Sequence, residues 1–424
     1  MVFARKKNEA GSSSNSIPIA REDTPLLGHS KQSSQFKTLA NIFIAIVGSG
    51  VLGLPYSFMR SGWVFGVLTL VCIAFLTYYC MLLLVYTRRK LESLNGCSKI
   101  NSFGDVGFSV CGSFGRFSVD LMIILSQAGF CVSYLIFVAN TLAHLINDPS
   151  GSEILLGMSP KKWYLWGCLP FQLGLNTIPT LTHLAPFSIF ADIVQIGAMG
   201  VVLGKDAVVY AQNKPPVKAF GGWSVFFYCV GVCTYAFEGI GMVLPLESEA
   251  KDKKNFGKTL GLSMGMISLL FATFGAMGYF AFGDETKDII TTNIGSGLLS
   301  TLVQLGLCIN LFFTFPLMMN PVYEVLERRL TGGRYCLWVR WLMVVGVALV
   351  AFLVPNFADF LSLVGSSVCI ALGFVFPALF HLIAFKDEVN WAILGLDGAI
   401  IIIGIILGVS GTWTSLQEIF AAKA

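Results

Sequence analysis

Two short stretches combine residues able to bind ions with residues that break helices. The first is GSGVLGLPYS, residues 48–57; the second is TYAFEGIGMVLPLE, residues 234–247. Each lies within an apolar run long enough to cross a bilayer, which needs ~17–25 residues. Gly48, Gly50, Gly53 and Pro55 weaken the first run as a helix, and Gly239, Gly241 and Pro245 weaken the second. An interrupted helix frees backbone groups. N–H groups freed near Gly48, Ser49, Gly50 and Val51 present the positive end of a half-helix and suit a carboxylate. Carbonyls freed near Tyr235, Ala236 and Phe237 suit an ammonium, and a glycine such as Gly239 lets a ligand approach the backbone closely. Together these polarities fit a zwitterion of amino-acid size. Glu238 stands beside the second break. An ionisable residue at that depth is costly, so it is a candidate to carry a coupling proton or to accept a substrate ammonium. The structural alternative is a carboxyl that caps freed N–H groups.

Composition places these stretches in a membrane. The chain has 424 residues, 55% of them hydrophobic and 12% charged, with a mean hydropathy of +0.74. Soluble domains average ~25% charged residues, so this chain has too little polar surface to be a water-soluble particle. Long apolar runs point to helices rather than to the ~10-residue alternating strands of a barrel. The 11 cysteines lie mostly inside apolar runs, where they behave as small hydrophobes. Cys229 and Cys233 share a helix face, but no second pair with metal-ligand spacing accompanies them. No Walker loop, HExxH or GxSxG occurs, so nothing supports primary pumping or hydrolysis. The sequence points to no enzyme, cofactor, metal or nucleic-acid partner.

Residues 1–37 read as a disordered tail, polar and poor in aromatics. Within it Glu22, Leu26 and Leu27 fit an acidic dileucine sorting signal, which a sorting adaptor would read. Residues 38–424 form the membrane domain, with eleven expected spans near 38–59, 62–87, 117–146, 162–180, 183–204, 223–245, 259–282, 297–326, 338–356, 359–385 and 391–415. With the N-terminus in the cytosol, 20 of the 28 Lys and Arg residues fall on the cytosolic side and 8 on the other. That bias sets the orientation and leaves the C-terminus lumenal or outside.

The two interrupted spans are the first and the sixth, an odd number of crossings apart, so they run in opposite directions. Gly50 precedes Pro55 by five positions and Gly239 precedes Pro245 by six. The expected architecture is all-α: a 5+5 inverted repeat, spans 1–5 over about 38–204 and spans 6–10 over about 223–385. An eleventh span is appended at about 391–415. Interrupted segments at matching positions in two halves are the sequence pointer to a transporter's binding site.

At these residues the sequence resembles the amino acid/auxin permease family. The matching pieces are NIFIAIVGSGVLGLPYSF (41–58), GW (62–63), SFGDVG (102–107), LAPFSIFAD (184–192), YAFEGIGMVLPLE (235–247), GYFAFGD (278–284) and FPLMMNPVYEVLE (315–327). Within that family the sequence is most similar to the plant vacuolar, proton-coupled amino acid transporters. The resemblance implies the amino acid–polyamine–organocation fold, neutral amino acid substrates and export from a vacuolar or lysosome-like lumen. If the spans pack as in that fold, Tyr134 and Gln127 of the third face the site. Asn310 and Thr314 share a face of the eighth. Asp192 lies in the fifth span, Asp120 near a span end that reaches the interface, and His144, His183 and His381 at span ends or turns. The expected function is proton symport by alternating access; an amino-acid-binding sensor or a channel is the alternative.

Overall fold

The computed structural model describes residues 34–94, 100–146, 159–179, 185–295, 297–386 and 391–421. The dileucine residues Glu22, Leu26 and Leu27, and also His183, lie outside them. Among the described residues there is no β-strand and the regular elements are helical. The first span is α1 (Gln35–Ile46), a 3₁₀ turn (Ser49–Gly53) and α2 (Leu54–Ser61). Then come α3 (Trp63–Leu94), α4 (Phe103–Ile146), α5 (Pro160–Leu175) and α6 (Ala185–Asn213). The sixth span is α7 (Phe226–Ala236) and α8 (Ile240–Glu249), followed by α9 (Phe256–Phe282), α10 (Leu298–Leu330) and α11 (Leu337–Leu353). The tenth is α12 (Phe357–Val364), two π-helical turns (Gly365–Cys369 and Ala371–Val375) and α13 (Phe376–Ala384); α14 (Trp391–Ala421) ends the chain.

Among the described residues, eight helical stretches are long and apolar enough to cross a membrane, nine when the bent pair Gln35–Ile46 and Ser49–Ser61 counts as one span. The other two expected spans correspond to α5 and α11, which are helical but only 16 and 17 residues long. α4 extends further towards the N-terminus than the expected 117–146. Its first two turns are set off by a kink at Cys111 and Gly112, where Gly112 takes φ +62°, a conformation that favours glycine.

The packing pattern has the symmetry of an inverted repeat. The first span lies on α9, the seventh, as the sixth span lies on α3, the second. The fifth (α6) packs on the seventh as the tenth (α13) packs on the second, while α3 meets α9 and α4 meets α10. Between lipid-embedded helices the driving force is close packing, which small residues permit. α2 is seated this way. Phe58, wholly buried, fills a notch made by Gly66 of α3 and Gly275 of α9, and Pro55 sits against Gly278.

Ion pairs form two layers, one at each end of the bundle. At one end Arg88 and Arg89 of α3 clamp Glu247 of α8, Arg329 meets Asp120 at 2.9 Å, and Arg340 meets Glu327 at 2.8 Å. Asp120 is buried and paired within this end layer. At the other end Arg60 meets Glu418 at 2.6 Å, and the Lys161 ammonium donates to the carbonyls of Val354 and Pro355. Asp288, after α9, accepts from the Phe357 amide; burial raises its carboxyl above the ordinary range while that bond and Lys161 oppose the shift. Each layer draws on the side of the chain to which the Lys and Arg bias assigns it.

Glu247 is completely buried between two arginines, one of them also buried. Glu247→Leu strands a buried guanidinium, and the expected loss is about 3–5 kcal/mol. Thermal unfolding of the detergent-purified protein checks this; a transition unchanged from wild type would show that the clamp contributes nothing.

Candidate functional site

The helical ladder of the first span stops at Ile46. Val47 and Gly48 are extended, and the chain re-enters a helix at Ser49, with Pro55 in the first turn of α2. The sixth span breaks after Ala236; Phe237 and Glu238 turn, Gly239 caps α8, and Pro245 sits inside that short helix. The two breaks touch. A Cβ on Gly50 would stand 2.8 Å from the Ala236 Cα and 2.9 Å from the Tyr235 ring, and one on Gly239 would stand 2.8 Å from Ile46. Each break thus supplies the glycine that receives the other. Gly48 differs, because a Cβ there would meet no heavy atom within 4 Å.

Hydroxyl groups gather at the crossing. The Ser49 hydroxyl faces those of Tyr134 and Tyr235. Tyr235 shares a 2.6 Å hydrogen bond with Ser133, and Phe130 meets its ring edge-on at 4.9 Å. Tyr134, Tyr235 and Ser49 are all buried. The Gly48 carbonyl, freed by the break, accepts from the Gln195 amide of α6 at 3.4 Å. Asn310 of α10 donates to Gln195 at 3.1 Å, and Thr314 donates to Asn310 at 3.0 Å. A chain of neutral polar groups therefore joins the break to the fifth and eighth spans.

Gly50 thus meets Tyr235 and Ala236, and Tyr134 stands beside Ser49. The Phe237 ring packs on Phe271 of α9, with centroids 5.2 Å apart. The Tyr235 carbonyl accepts from the Glu238 amide at 3.2 Å. Gly239 is covered by Ile46. The Glu238 carboxyl faces the Ile240 amide, at the start of α8, and the Cys369 thiol in the first π-turn of the tenth span. It thus stands in the capping position and also beside a π-bulged helix, a distortion frequent at functional sites. Asp192 is half-buried on α6, three residues before Gln195.

Sequence reasoning missed Gln195, although it noted Asn310 and Thr314. An amide within an apolar span was the available signal. It also missed a cluster at one end of the crossing. Arg60 of α2 lies 3.8 Å from Asp359 of α12, 2.6 Å from Glu418 of α14 and 4.4 Å over the Tyr228 ring of α7, and Tyr228 donates to Asp359 at 3.0 Å. These partners are distant in sequence and carry no local motif.

The family model described as transmembrane amino acid transporter protein matches residues 31–417. The chain is 62% identical over 433 residues to amino acid transporter AVT3C of Arabidopsis thaliana, covering 98% of this chain and 99% of that one. It is 27% identical over 379 residues to vacuolar amino acid transporter 3 of Schizosaccharomyces pombe, covering 86% of this chain and 55% of that one. Among solved structures it is similar to Mhp1, a nucleobase-cation-symport-1 family transporter in a closed conformation with bromovinylhydantoin bound. That match has a TM-score of 0.54 and 15% identity, covers 94% of this chain and 96% of the other, and is a likeness of fold.

The two glycines of the first break should respond differently. Gly50→Ala forces its methyl into the α7 backbone, with an expected cost of about 1–3 kcal/mol. Gly48→Ala meets no neighbour, so it should fold like wild type while weakening ligand binding. Unfolding midpoints and the concentration dependence of transport for the two variants check this. Unchanged transport by Gly48→Ala would remove Gly48 from the ligand's surroundings.

Proposed function

The chain belongs to the transmembrane amino acid transporter protein family, and on that premise we propose that it carries small neutral amino acids from the vacuole lumen to the cytosol by proton symport. The observation that carries this reading is the contact of two interrupted spans at Gly50 and Ala236, inside the protein and ringed by hydroxyls. The N–H groups that open the 3₁₀ turn at Ser49 lack acceptors within their own helix and suit the substrate carboxylate. The ammonium would lie towards the Ala236 and Phe237 carbonyls. Neutral hydroxyls around the site favour a substrate without net charge. The S. pombe relative's name supports a vacuolar membrane, and the Lys and Arg bias supports a cytosolic N-terminus and a lumenal C-terminus over eleven spans.

Alternating access then requires the two ends of the crossing to open in turn. The Arg60 cluster ties α2, α7, α12 and α14 together at the lumenal end, and the Arg88–Glu247–Arg89 clamp ties α3 to α8 at the cytosolic end. Separation of the first admits substrate and proton from an acidic lumen. Glu238 is the coupling carboxyl in this scheme, because it faces both the start of α8 and the tenth span.

Protein reconstituted into liposomes should take up labelled alanine saturably, and faster when the pH gradient drives protons in the same direction. Binding without flux would favour a sensor, and non-saturable current a channel. Glu238→Gln should abolish proton-driven uptake; wild-type uptake and currents in that variant would leave Glu238 a structural cap.

A further inference from the structure

A second buried acid–base pair lies away from the crossing, at the joint of α13 and α14. His381 is 7% exposed and Asp397 is completely buried. The His381 Nδ1 and an Asp397 oxygen are 2.6 Å apart. The other Asp397 oxygen is buried without a hydrogen-bond partner. From α3, Tyr79 and Cys80 face the Asp397 carboxyl, and Lys90 stands 5.8 Å over the Phe385 ring, which is itself 4.5 Å from the imidazole. From α4, the Phe103 ring packs on Phe380 at 6.0 Å. The π-turns of the tenth span meet α14 through apolar Ile370 and Val375 at Gly404.

A carboxylate with an unsatisfied oxygen in such a setting is costly as an isolated anion. With a neutral imidazole and an ionised carboxyl the pair has net charge −1. One added proton brings it to zero, whichever of the two holds it. The pair also has a mechanical connection. His381 and Cys369, which faces Glu238, lie on one helical run interrupted by the two π-turns. A shift of α13 against α14 therefore reaches the surroundings of Glu238.

We propose that His381 and Asp397 form a second proton-binding site, separate from Glu238 and linked to it through the π-turns of the tenth span. The proposal rests on the reading of the chain as a proton-coupled transporter. The site takes one proton from water when the α13–α14 joint opens and keeps it while the joint is closed. Loading needs no other reactant, and the proton leaves to water by the reverse step. The joint lies at the end that the Lys and Arg bias assigns to the cytosol, so it exchanges this proton with cytosolic water.

The test uses the full-length protein in liposomes, with labelled alanine as the probe, and compares His381→Gln and Asp397→Asn with wild type. Alanine exchange at equal pH on both sides requires no net proton movement, and it should persist in both variants. The pH dependence of net uptake should flatten in both, with Asp397→Asn, which keeps the shape of the acid, folding like wild type. A wild-type pH profile in both variants would overturn the proposal. So would equal losses of exchange and net uptake together with a lowered unfolding temperature, because that pattern marks a structural contact. Proton release from the detergent-purified protein after an upward pH step, read with an indicator dye, reports the site without transport. The variants should release fewer protons than wild type, and equal release would overturn the proposal. Should wild type carry no alanine under any gradient, the transport reading fails, while the proton count still decides whether the pair binds a proton.

Discussion

A helix interrupted inside a bilayer has backbone groups that water cannot satisfy. The rest of this structure follows from meeting that demand twice in one place. The two interrupted spans are pressed together, Gly50 on Ala236 and Ile46 on Gly239, so that each covers part of the other's exposed backbone. The carbonyl left over at Gly48 is met by Gln195, which Asn310 and Thr314 hold in turn. The fifth and eighth spans are thereby committed to the first. Phe58 and Pro55, lodged in glycine notches of α3 and α9, fix the second half of the first span to the second and seventh. The backbone at Gly48 stays exposed, and the hydroxyls of Ser49, Tyr134 and Tyr235 are buried beside it.

Charge is distributed to suit this arrangement. Ion pairs stand at the two ends, with partners that come from different helices. The middle is built from neutral donors and acceptors, with Glu238 as its carboxyl. The end clusters are costly to break one residue at a time, since removing one partner leaves the other buried and unpaired. Concerted movement of whole helices, with water reaching both partners, avoids that cost. The π-turns of the tenth span lie between Glu238 and the His381–Asp397 joint, where a helix must adjust without losing its hydrogen bonds.

Several residues were legible because their signal is local. Glycine and proline report a break wherever they occur, and an odd number of crossings between two breaks implies opposite directions. Glu238 was conspicuous because a carboxyl in an apolar run is costly anywhere along it. Position beside a break does not say what a residue packs against: the Phe237 ring lies on α9 and Gly239 lies under Ile46. Gln195 carried an inconspicuous signal, an amide among aliphatics, and its importance came from a carbonyl 147 residues away.

The sequence by itself therefore determined the class of solvent, the helical character, the paired breaks and the bias of basic residues. These depend on composition and on spacing along one chain, which lipid constrains strongly. The tertiary structure alone decided which backbone groups remain open, that the Tyr235 carbonyl is already used, and that Arg60 finds Asp359, Tyr228 and Glu418. It also decided that His381 and Asp397, placed near the ends of successive helices, bury one another. Such outcomes depend on how far and at what rotation helices pack, and a glycine notch or a π-turn changes both without altering the hydropathy of the span.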